Sequence, residues 1–176
     1  MLVEARSIER ARLGHRHPAT VFLDFKAAFP SISRQYMTDV LTSLLGTNNL
    51  LFGALVVLYT GAAATILIKG MLFGVVELLA GIRQGCPASG SLFVILLDPW
   101  MRFAVARLPR CYFFGFADDI AIVLKELIKD LRDLHAVLRV LALAACLCLN
   151  FKKCVIVPLR PTTDRDQWRR IVTFLA

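Results

Sequence analysis

Phe114-Gly115-Phe116-Ala117-Asp118-Asp119-Ile120-Ala121-Ile122-Val123-Leu124 sets two adjacent carboxylates inside an apolar run. Apolar residues lead up to the acids, and Ile120, Ile122 and Leu124 continue on one face beyond them. This pattern predicts a strand, a tight turn carrying the acids, and a second strand. Successive side chains of a regular strand point to opposite faces, so Asp118 and Asp119 can serve one ligand only where a turn lets them diverge. Carboxylates pressed against this much apolar surface need a cation or hydrogen-bond donors, or one of them must hold a proton. No Lys or Arg lies between Arg110 and Lys125, so a divalent metal is the economical partner. Taken alone, the stretch is also an ordinary Asp-Asp turn with solvated tips; two other stretches change that reading.

The first is Thr20 to Phe25 (TVFLDF), a strand apolar on both faces until Asp24. An acid at the end of a buried strand has its Cα fixed while the exit loop opens a cleft. Beyond Ala27, Ala28, Phe29 and Pro30 a helix begins with Ser31 or Ser33 as its cap, buries Met37, Val40, Leu41 and Leu44, and ends at Gly46. A second helix is expected from Asn49 to Tyr59, then a hairpin of Thr65–Ile68 and Leu72–Leu78 about Lys69-Gly70-Met71. The other stretch is Gly81-Ile82-Arg83-Gln84-Gly85-Cys86-Pro87-Ala88-Ser89-Gly90, a Gly-rich loop opening a helix to Leu108 that Pro99 should kink or split. After the Asp-Asp hairpin, residues 125–145 suit a helix with Leu127, Leu131, Leu134, Leu138 and Leu141 as its buried stripe. Short strands at Leu147–Asn150 and Val155–Val157, and a last helix at Trp168–Leu175, complete the expected order. Residues 3–13 suit a basic helix in front of it all. Carboxylate-bearing strands with helices between and after them predict an α+β fold: an antiparallel sheet of split βαβ type, covered by helices on one face.

The chain of 176 residues is long enough for one domain with a real core. Its formal net charge of +8 favours a polyanionic partner, nucleic acid or an acidic membrane surface. The basic residues gather towards the ends, from Arg6 to Arg16 and from Lys152 to Arg170, where each singly also suits a solvated face. The five cysteines form no C-x-x-C pair, which argues against a zinc site or a disulfide framework and for reduced thiols in an intracellular protein. The basic N-terminus lacks the apolar core and cleavage site of a signal peptide. Mean hydropathy is high, +0.64, and Leu50–Ile68 runs for 19 residues without a charge. That is span length, but Tyr59-Thr60-Gly61 interrupts it and β-branched residues alternate after Ala64, so a buried helix followed by a strand is expected and no stable membrane association.

Asp24 and Asp118, on neighbouring strands, would share metal ions. Two Mg²⁺ ions (or Mn²⁺) held about 4 Å apart can activate a 3′-hydroxyl and stabilise a leaving pyrophosphate. At this point a resemblance is plain. Val21–Phe29 (VFLDFKAAF), Gly81–Phe93 (GIRQGCPASGSLF) and Phe116–Asp119 (FADD) resemble, in order, three blocks of the reverse transcriptase palm of LINE-type (non-LTR) retrotransposons. Cys148–Lys153 (CLNFKK) is similar to the family's L-x-L-N-x-x-K. The match covers roughly residues 20–157.

The resemblance implies an RNA-directed DNA polymerase palm acting by two-metal nucleotidyl transfer, with an RNA template, a DNA primer and deoxynucleoside triphosphates as partners. Asp24, Asp118 and Asp119 would be the catalytic metal ligands, with Asp119 in support. Phe25 would offer its carbonyl to a metal. Phe29 would exclude a ribose 2′-hydroxyl, Gln84 and Gly85 would contact nucleotide and template, and Lys153 would lie near the phosphates. Phe29 equally suits the core, Gln84 a loop cap and Lys153 a solvated turn. Pro30 stands where the family often has Asp, and Ala88 and Gly90 where it has Leu and Pro. Only 23 residues precede Asp24 and 19 follow Val157. The whole chain is therefore expected to be one partial domain, 1–176, whose fingers and thumb are largely missing and which is inactive alone. The alternatives are a retroelement remnant that has lost catalysis and acts as a nucleic-acid or protein binding module, and a small membrane protein.

Overall fold

The computed structural model describes residues 1–14 and 17–160. Helix α1 (Leu2–Arg12) leads into strand β1 (Ala19–Leu23), a one-turn helix α2 (Ala28–Ser31), and helices α3 (Arg34–Leu45) and α4 (Leu50–Tyr59). Strands β2 (Ala63–Ile68) and β3 (Met71–Glu77) follow, then α5 (Ser89–Arg107), β4 (Tyr112–Phe116), β5 (Asp119–Leu124), α6 (Leu127–Ala145) and β6 (Val155–Pro158). The main sheet is antiparallel with order β4-β5-β1-β6, and β2 and β3 form a separate two-stranded sheet.

Alternation along β1 explains why the sheet sits where it does. Ala19, Val21 and Leu23 are buried in the core with Ile120, Ile122 and Leu124 of β5. That face is closed by α5 and α6, whose own contact includes the buried Trp100 indole N–H donating to the Val137 carbonyl at 2.9 Å. All five expected leucines of α6 are buried. The opposite face carries Thr20 and Phe22, and here α1 adds cover beyond the one-sided layer: the Ser7 and Thr20 hydroxyls lie 2.8 Å apart, and Arg6 and Arg10 stack on Tyr112. With α1 above it, β5 is buried on both faces from Ile120 to Leu124.

Local signals mostly act as expected. Ser33 caps α3 by accepting the Tyr36 N–H, Asn49 caps α4 by accepting from Leu51, and Gly46 ends α3 at φ 76°. Lys69 and Gly70 both adopt positive φ, the two-residue turn that matches strand twist. Several expectations need correction. Helix α5 is not split at Pro99, which lies on the exposed side, where the carbonyl it leaves without an N–H can meet water. Leu44 is exposed, because α3 turns only Met37 and Leu41 fully into the core. Among the described residues Leu147–Asn150 forms no strand: a left-handed residue, Cys146, precedes it, and its one bridge is Leu149 to Phe25. The short helix α2 fills the Phe29-Pro30 segment ahead of the capped helix. The Trp168–Leu175 helix lies outside the described residues.

The uncharged run Leu50–Ile68 is divided between α4 and β2, so it is no span-length helix, and the helix expected to be buried is largely exposed, with Tyr59 as its buried residue. Among the described residues one helix, Ser89–Arg107, is long and apolar enough to cross a membrane, and its Leu92, Phe93, Leu96, Leu97 and Trp100 are buried in the core.

Candidate active site

The β1–β5 register places the candidate acids. Leu23 pairs with Ile120 as the last pair of the ladder, so Asp24, which follows Leu23, and Asp119, which precedes Ile120, lie at the same end of the two strands. Phe116 pairs with Asp119, leaving Ala117-Asp118 as a two-residue turn in which Ala117 is left-handed, φ 52°. Asp24, Asp118 and Asp119 therefore stand at one end of adjacent strands. Asp118 and Asp119 are exposed and Asp24 is half-buried, its Oδ2 shielded from solvent with no hydrogen-bond partner among the described residues. Among the described residues no three His, Cys, Asp or Glu side chains are gathered into a group that could hold a metal ion. The sheet brings the three acids to one edge without drawing them into a ready-made three-ligand cluster.

The backbone of Asp24 is held from the far side by the turn before β6. Its carbonyl accepts the Asn150 N–H at 2.8 Å, and Lys26 N–H donates to the Cys148 carbonyl at 2.8 Å. Its N–H donates to Cys154 Sγ at 3.4 Å, and the thiol points back to the Asp24 carbonyl at 3.8 Å. Burial pushes the Cys154 thiol pKa up. The sequence marked Asn150 only as part of a motif, and Cys154 carried no signal, because its contact depends on β6 pairing with β1.

Phe29 is half-buried, with its ring centroid 4.7 Å from that of the buried Phe93. The α2 turn that carries it is clamped by the Gly-rich loop. Gly81 N–H donates to the Ile32 carbonyl and Ile82 N–H to the Phe29 carbonyl, both at 2.7 Å. Gly81 sits at φ +82°, and a Cβ there would lie 2.5 Å from the Pro30 backbone. Further along the loop, Ser89 Oγ donates to the Arg83 carbonyl, and Gln84 and Gly85 stay exposed. Phe25 is buried, and Lys153 is exposed on the 151–153 turn. Beside Asp119, an open groove of about 380 Å³ is lined by Val3, Phe22, Phe114, Phe116 and Ala121.

An antiparallel sheet that carries its acids on one strand end and the adjoining hairpin, with helices behind, defines a polymerase-type palm. The chain belongs to the reverse transcriptase (RNA-dependent DNA polymerase) family, whose model matches residues 2–175. It is 27% identical over 144 residues to the Transposon TX1 uncharacterized 149 kDa protein of Xenopus laevis, a match covering 77% of this chain and 11% of that protein. Among solved structures, apo telomerase from Candida tropicalis, truncated from its C-terminal domain, superposes with a TM-score of 0.68 at 11% identity, over 93% of this chain and 35% of that one. Telomerase from the same organism in complex with a TWJ fragment of telomeric RNA gives 0.64 at 12% identity, over 89% of this chain and 28% of that one. The chain thus spans about a third or less of the length of these relatives. The family expected from the motif blocks is the family found, and a transposon protein is among its relatives.

Proposed function

We propose that this chain is the palm of an RNA-directed DNA polymerase and that Asp24 and Asp118 hold its divalent ions, with Asp119 in support. One observation supports the reading: Asp24 follows the last β1–β5 pair at the strand end that carries the Asp118-Asp119 turn, with its Oδ2 buried and without a donor among the described residues. A shielded carboxylate oxygen in that state is costly unless a cation meets it. Two Mg²⁺ ions bound there would activate a primer 3′-hydroxyl and stabilise the departing pyrophosphate. The chain's own groups fix the geometry. β1 and the 149–154 turn hold the Asp24 backbone, the clamped α2 turn presents Phe29 towards the sugar, and Gln84 and Gly85 leave an open backbone for nucleotide and template. Lys153 is suited to the phosphates.

A second reading, a palm that binds nucleic acid without catalysis, draws on the absence of a gathered three-ligand group among the described residues. Mn²⁺ titration followed by electron paramagnetic resonance separates the two. The polymerase reading expects a bound signal that Asp24→Asn and Asp118→Asn each remove. A parent chain that binds no Mn²⁺ supports the binding-module reading.

A further inference from the structure

We propose that Cys154 is a positioning residue for Asp24. The β1–β6 ladder ends at Phe22 and Val155, so the next backbone groups of β1 have no strand partner on that side. Cys154 takes over there with its side chain: the Asp24 N–H donates to Sγ at 3.4 Å and the thiol donates to the Asp24 carbonyl at 3.8 Å. The Asn150 N–H meets the same carbonyl at 2.8 Å, and Lys153 and Cys154 N–H groups both close back on the Asn150 carbonyl, at 2.9 and 3.1 Å. The result is a small closed turn with Asp24 as its guest. Sulfur makes weak hydrogen bonds but is large and polarisable, so it fills the step where the ladder runs out and also satisfies the N–H. One oxygen of the Asp24 side chain, Oδ2, is buried without a hydrogen-bond partner among the described residues, so no hydrogen bond at that oxygen fixes the carboxylate there. Its placement depends on the backbone that Cys154 holds.

The inference that this placement matters for metal binding rests on the polymerase reading above; the placement itself does not. Two measurements on the 176-residue chain therefore separate them. Hydrogen–deuterium exchange at the Asp24 and Asn150 amides needs no metal. Cys154→Val removes the polar partner and leaves a somewhat larger apolar side chain in its place, and exchange there is expected to rise about three- to tenfold, the effect of one modest hydrogen bond, while α6 amides stay unchanged. Cys154→Ser restores a donor and acceptor and is expected to return exchange to within about twofold of the parent. Unchanged exchange at Asp24 in Cys154→Val overturns the proposal, as does a rise that spreads equally to α6, which would mark general destabilisation. The second measurement is Mn²⁺ affinity by electron paramagnetic resonance, expected to weaken about three- to tenfold in Cys154→Val and to recover in Cys154→Ser. If Asp24→Asn binds Mn²⁺ as the parent does, the metal reading fails, and the exchange result still decides the role of Cys154.

Discussion

Gly81→Ala is the sharpest single perturbation of the clamp between the Gly-rich loop and the Phe29 turn. Two effects add. At φ +82° an L side chain is disfavoured by about 1–2 kcal/mol. The new Cβ would also sit 2.5 Å from Pro30 Cα and O, backbone atoms that cannot rotate away. Loop and turn must separate, which strains or breaks the Gly81–Ile32 and Ile82–Phe29 hydrogen bonds, each worth about 0.5–1.5 kcal/mol net. Gly85→Ala isolates the first effect, since Gly85 has φ +83° with open space around it. Both variants share the small gain from stiffening the unfolded chain. The expected difference between them is about 1–3 kcal/mol, or about 2–12 °C in Tm for a chain of this size. Chemical denaturation of the two variants side by side is the assay. Equal stability within about 0.5 kcal/mol would refute the clamp, because only the Pro30 contact and its two hydrogen bonds distinguish the sites.

Three further outcomes are expected. Cys111 is buried beside Asp130, and burial first, then the carboxylate's charge, push its thiol from 9.0 to about 12. A raised thiol pKa keeps the proton in the folded state, so stability falls as pH rises from 9 towards 12. Cys111→Ala should flatten that alkaline loss in parallel denaturation series, and an unchanged slope would assign it to other groups. With this segment grafted into a complete reverse transcriptase, Phe29→Val should relax sugar selection in primer extension with ribonucleotides; full exclusion by the variant would make Phe29 a core residue only. The β2–β3 hairpin exposes Leu67, Phe73 and Val75, and a two-stranded sheet is marginal by itself. The 176-residue chain alone should therefore be poorly soluble and inactive on a primed RNA template, Leu67→Lys with Val75→Lys should raise its solubility, and processive synthesis by the soluble parent monomer would contradict this.

Much of the architecture is legible in the sequence because its signals are local. The α6 leucines repeat at helical spacing, Ser33, Asn49 and Gly46 act within one turn, and Lys69-Gly70 specify a hairpin without outside help. Misread elements depend on distant contacts. Pro99 stays within α5 because tertiary packing of Leu96 and Trp100 outweighs one lost hydrogen bond on the exposed side. Leu147–Asn150 has strand composition, yet among the described residues it makes a single isolated bridge, Leu149 to Phe25, and no ladder. The motif blocks point to Asp24 and the Asp118-Asp119 turn, and the register sets them at one sheet end. The support beneath Asp24 from Asn150 and Cys154, and the Gly81–Pro30 approach, could not be read in advance, since each joins segments far apart in the chain.

The central claim is that Asp24 and Asp118 serve nucleotidyl transfer. RNA-templated deoxynucleotide incorporation with Mg²⁺, by this segment grafted into a complete reverse transcriptase, tests it most directly. The account predicts incorporation by the parent graft and its loss in both Asp24→Asn and Asp118→Asn, with Lys69→Asn on the distant hairpin turn as an active control. Undiminished incorporation by either Asp variant would contradict it.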